Sequence, residues 1–140
     1  MTVLLTHCLL QKNFVTFSPL LYSVDEKDTM LYVTIALFAL AAILGILILK
    51  NWLTQATTSR TVVYAHGVFA ALGLVLLIVL SLNNPGLGLT TSIILFVIAA
   101  VAGFYMFFRD LQGKFSPTAL AIVHGLVAVA GFVFLLLKVL

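Results

Sequence analysis

A 140-residue chain that is 64% hydrophobic and 8% charged, with a mean hydropathy of +1.28, is excluded from the water-soluble globules, which carry about 25% charged residues. Its net charge of +3 and pI near 9.3 do not describe a nucleic-acid surface, because the seven basic residues are scattered over the ends of apolar runs and form no patch. The composition fits an integral membrane protein whose basic residues are topology signals.

Residues 1–29 differ from the rest. They mix apolar stretches too short to span with Gln11, Lys12, Asn13, Pro19 and the acidic cluster Asp25-Glu26-Lys27-Asp28. No basic region precedes an apolar core and no clear small-x-small site follows it, as a signal peptide requires. We therefore expect Met30 to be the true initiator and 1–29 to be an extension. His7 and Cys8 have no partners at ligand spacing and receive no role.

Residues 30–140 contain four apolar runs, 31–49, 62–82, 89–108 and 119–140. Each is close to the roughly 20 helical residues that cross a hydrocarbon core of about 30 Å. The first connection carries Lys50 and Arg60, and the third carries Arg109 and Lys114 with Asp110. The second, Asn83-Asn84-Pro85-Gly86, is uncharged, and Gly86-Leu87-Gly88 reads as a turn. The positive-inside rule puts both basic loops in the cytoplasm and both termini outside, with Lys138 snorkelling to the outer interface. Trp52, Tyr64 and Tyr105 read as interfacial anchors. Few cysteines and compact loops point to a bacterial inner membrane.

A shift of 58 residues superimposes the first pair of runs on the second without a gap. Leu31 falls on Leu89, Leu37-Phe38 on Leu95-Phe96, Ala41-Ala42 on Ala99-Ala100, Gly45 on Gly103, and His66-Gly67 on His124-Gly125. Ala70 falls on Ala128 and Gly73 on Gly131. Leu and Ala matches are cheap in such a composition; a His with three glycines in unbroken register is not. The expected fold is an all-α, four-helix, up-down-up-down membrane bundle made of two repeated hairpins related by a pseudo-twofold axis along the membrane normal.

Each copy of His-Gly-x-x-Ala-x-x-Gly lies on one narrow stripe, since the Ala and Gly fall within roughly 40° of the His at 3.6 residues per turn. His66 and His124 each sit early in their spans, roughly 8–10 Å inside the basic-loop end. Spans two and four then face one another across the core, and their imidazoles meet at one depth. One imidazole followed by small residues is what a helix offers to a planar macrocycle whose metal the His holds. Ala70, Gly73, Ala128 and Gly131 are the expected flat surface, His66 and His124 the metal ligands, and Arg60 the best-spaced partner for acidic substituents, with Arg109 and Lys114 as alternatives. The small pairs Ala42 with Gly45 and Ala100 with Gly103 read as ordinary close-packing faces.

A His pair on the second and fourth spans of a four-helix bundle resembles the transmembrane b-type cytochromes, in architecture over 30–140 and in motif at His66 and His124 alone. The resemblance implies one non-covalent, six-coordinate haem b per chain. The chain departs from two-haem members in having no second intramembrane His pair, and it lacks the Cys-x-x-Cys-His of covalent attachment. With both axial positions filled, such an iron favours one-electron transfer over oxygen chemistry, with a quinone, a flavoprotein or another cytochrome as redox partner. Two other readings stay open: an accessory subunit of a larger membrane complex whose His residues make interhelical hydrogen bonds, and a pigment-binding protein.

The spans contain no carboxylate for a proton relay, and no catalytic triad, metalloprotease motif or phosphate loop occurs in the chain. Reporter fusions should place 50–60 and 109–114 in the cytoplasm; a cytoplasmic signal from a fusion at Asn84 would invert the topology.

Overall fold

The computed structural model describes residues 26–54, 56–114 and 117–139; His7, Cys8 and most of the N-terminal extension lie outside the described residues. It is all-helical there, with no strand. The helices are α1 (Glu26–Leu53), α2 (Arg60–Asn83), α3 (Thr90–Leu111) and α4 (Thr118–Leu136), with a short 3-10 turn, Pro85–Leu87, between α2 and α3. All four are long and apolar enough to cross a membrane. α1 and α2 run past their apolar stretches at both ends and α3 at its C-terminal end, because helical hydrogen bonding continues until a cap or turn stops it. α1 begins with Glu26 and Asp28 in its first turn and has Lys50 in its last, the charge order that suits the helix dipole. α4 stops at Leu136, short of residue 140, where Lys138 and Val139 donate to the carbonyls three residues back.

The connections follow from turn chemistry. Asn84 closes α2 with both its backbone and its side-chain amide on the Leu80 carbonyl, at 2.9 and 3.2 Å. α3 ends in a Schellman arrangement: Gly113, at φ 68°, donates to Asp110 at 2.9 Å and Lys114 donates to Arg109 at 3.0 Å. Only glycine takes that left-handed position without steric cost.

Packing is closest between α1 and α2 and between α3 and α4, with smaller contacts of α1 on α4 and of α2 on α3. The backbones of α1 and α3 stay more than 8 Å apart, as do those of α2 and α4. Side chains bridge both gaps. Phe38 of α1 stacks on Phe96 of α3 with ring centroids 3.8 Å apart and planes 2° from parallel. The buried residues recur at the 58-residue interval: Leu31, Thr34, Phe38 and Ala41 on α1 match Leu89, Ser92, Phe96 and Ala99 on the other side, and Gly73 and Leu77 of α2 match Gly131 and Leu135 of α4. The glycines are where they are because of the phenylalanines. A Cβ on Gly73 would stand 3.2 Å from the Phe38 ring, and one on Gly131 would stand 3.2 Å from Leu95 and 3.5 Å from Phe96.

The large core side chains, Leu31, Phe38, Leu77, Leu80, Leu89, Phe96 and Leu135, form one cluster. It fills the Pro85 end of the molecule. Most remaining apolar side chains, such as Ile46, Val75, Val101 and Leu126, are exposed and suited to lipid contact. Phe38→Ala and Phe96→Ala should each lower stability in detergent by about 3 kcal/mol and by similar amounts. Gly67→Ala, which meets nothing within 4 Å, should cost nothing; reversible SDS unfolding of the three variants checks both statements.

Candidate functional site

At the other end, beyond the phenylalanine pair, the interior is lined by small residues and two imidazoles. Ala41 and Ala99 are buried, and Gly45, Gly103, His66 and His124 are half-buried. His66 donates from Nδ1 to the Ala41 carbonyl of α1 at 2.8 Å, and His124 donates from Nδ1 to the Ala99 carbonyl of α3, also at 2.8 Å. A carbonyl only accepts, so each Nδ1 carries the proton. Among the described residues neither Nε2 has a hydrogen-bond partner.

Gly45 and Gly103 are close-packing positions, and what packs on each is an imidazole. A Cβ on Gly45 would lie 3.1 Å from Cε1 and 3.3 Å from Nδ1 of His66; on Gly103 it would lie 3.2 Å from Cε1 of His124. Each glycine is the seat of an imidazole. Sequence spacing paired these glycines with Ala42 and Ala100, their neighbours along the stripe, and so missed the residues across from them. The available signal was the alignment of Ala41 on Ala99 and Gly45 on Gly103, in the same register that aligns the histidines.

The two imidazoles meet each other. Their ring centroids are 6.3 Å apart with planes at 68°. Two imidazoles sharing one metal through facing nitrogens need about 6 Å between centres, from a metal–nitrogen bond of about 2.0 Å and about 1.1 Å from nitrogen to ring centre on each side. The centroid separation is of that order, with the rings edge to face. Among the described residues no group of three or more His, Cys, Asp or Glu comes together, so a metal here would take two protein ligands and draw its remaining coordination from a non-protein group. Two imidazoles whose Nε2 atoms make no hydrogen bond among the described residues are residues that could hold a metal.

The remaining expected site residues fall in different places. Ala70 and Ala128 are half-buried, one helical turn from their histidines. Gly73 and Gly131, two turns away, are covered by Phe38 and by Leu95 with Phe96. Arg60, exposed at the start of α2, lines a shallow cleft with Val63, Tyr64, Phe107, Asp110 and Leu111. Tyr64 meets Phe107 edge to face there. The cleft has no second copy, because the position 58 after Arg60 is Thr118 and the position 58 before Asp110 is Trp52. Arg109 binds the Tyr105 hydroxyl at 3.2 Å and lies over its ring. Comparison of the chain with protein families, curated proteins and solved structures finds no match.

Proposed function

We propose that this chain is a membrane b-type cytochrome acting as a one-electron carrier. On this reading the helices form an up-down-up-down bundle of two copies of one hairpin, and His66 and His124 would hold a single haem b. The observation that carries it is the pair of imidazoles 6.3 Å apart, each anchored through Nδ1 to the neighbouring helix of its own hairpin. Interhelical hydrogen bonding alone would need one such bond at each histidine; it gives no reason for the two rings to converge.

Bound haem supplies a one-electron couple. The chain's own residues do the rest. His66 and His124 would hold the haem iron through Nε2, and an iron held by both would favour one-electron transfer over oxygen chemistry. Ala70 and Ala128 keep the stripe beside each ring low, while Gly73 and Gly131 act through the aromatic side chains they seat. Arg60, in the cleft it lines with Asp110, would be the cation for a propionate. The membrane is a bacterial inner membrane with both basic loops on the cytoplasmic side, and the electron partner is a quinone, a flavoprotein or a second cytochrome.

The decisive measurement is an absorption spectrum of purified protein with haem quantified per chain. One haem per chain is expected, low-spin in both oxidation states and slow to bind carbon monoxide. His66→Ala and His124→Ala should each lose the haem or convert it to a five-coordinate, high-spin form that takes carbon monoxide. A colourless protein would leave the accessory-subunit reading, in which each imidazole bond contributes about 0.6–2 kcal/mol to helix packing. A tetrapyrrole spectrum without iron would favour the pigment reading.

A further inference from the structure

The side chain of a helical residue lies over the turn that precedes it, so residue i+4 normally covers the carbonyl of residue i. The carbonyls of Ala41 and Ala99 are open because Gly45 and Gly103 stand at those positions. Each carbonyl already accepts its helical N–H and has a second lone pair left. That lone pair takes the imidazole at 2.8 Å. The arrangement occurs twice, 25 residues from carbonyl to histidine in each hairpin.

We propose that Gly45 and Gly103 are positioning residues that lock His66 and His124 in the Nδ1–H tautomer, so that both Nε2 lone pairs are presented before any ligand arrives. A free imidazole in water exchanges its proton between the two nitrogens, and the tautomer with a proton on Nε2 cannot bind a metal there. The carbonyl bond removes that tautomer. It also holds the ring orientation that a metal-bound histidine ordinarily owes to a hydrogen-bond partner. The proposal rests on the cytochrome reading for its purpose, while its first test needs no haem.

The test uses the full chain labelled with nitrogen-15 at histidine, in lipid bilayers and at mildly alkaline pH. Both His66 and His124 should give a single tautomer, protonated at Nδ1 and bare at Nε2. In Gly45→Ala, whose new Cβ would fall 3.1 Å from Cε1 of His66, His66 should lose the single-tautomer pattern while His124 keeps it. Gly103→Ala should do the reverse. The unaffected histidine reports that each variant is folded. Gly67→Ala and Gly125→Ala, beside the histidines in sequence but with nothing within 4 Å of the added Cβ, should change neither pattern. Wild-type rings protonated at Nε2, or a pure Nδ1–H pattern surviving in both Gly45→Ala and Gly103→Ala, would overturn the proposal. In haem-loaded protein the same two variants should bind haem about 10- to 100-fold more weakly, the usual loss when a ligand's hydrogen-bond partner is disturbed. A wild-type chain with both rings locked but unable to take haem would remove the cytochrome reading and leave the tautomer lock standing.

Discussion

The bond from an imidazole N–H to a main-chain carbonyl of the neighbouring helix is the constraint around which this molecule is arranged. A polar ring among helices of this hydropathy has no water to satisfy it, and an unmet donor there costs several kcal/mol. The nearest acceptors are main-chain carbonyls already inside a helix. A donor from a neighbouring helix reaches one of these most readily where the next turn lacks a side chain. The requirement links His66 to Ala41 and Gly45, and His124 to Ala99 and Gly103. It also fixes the axial rotation of each helix against its partner, since turning α2 by one residue would carry His66 away from that carbonyl.

The described helices divide into two halves with different fillings. Toward Pro85 the core is large and closed: Leu77, Leu80 and Leu135 have no exposed surface, and the Phe38 and Phe96 rings stack at 3.8 Å. Toward the basic loops the buried positions are mostly alanines, with Met106 the larger exception. Small residues there let each imidazole reach the neighbouring helix, and each ring fills the seat its glycine leaves.

Much of this was legible in the sequence, and what was not has a physical reason. The four spans were read from run length, because crossing a bilayer sets a minimum number of apolar residues. The turn at Gly86-Leu87-Gly88 was read from its glycines, and Gly88 does sit at φ 60°. The approach of His66 to His124 followed from their equal depth. The seats were missed. Periodicity tells which residues share a stripe, and Gly73 does share one with His66, but it does not tell what the stripe meets. Gly73 meets Phe38, and the glycine that meets His66 is Gly45 on another helix. Helix ends were not legible for a related reason: hydropathy marks where the apolar environment stops, whereas a helix ends at a cap such as Asn84 or Gly113.

The division of the core also bears on how the two imidazoles are held. Fixing two rings in one orientation costs side-chain freedom. The alignment must therefore be supported from elsewhere. The stacked phenylalanines join α1 to α3, and the leucine cluster joins all four helices at the Pro85 end. Both lie outside the site, so they can hold the helices in register whether or not the histidines bind anything. The carbonyl bonds then hold each ring to a helix that is already fixed. Rigidity comes from the half packed with large side chains. Enlarging Ala41 or Ala99, both buried, to leucine would overpack the end at which the imidazoles sit.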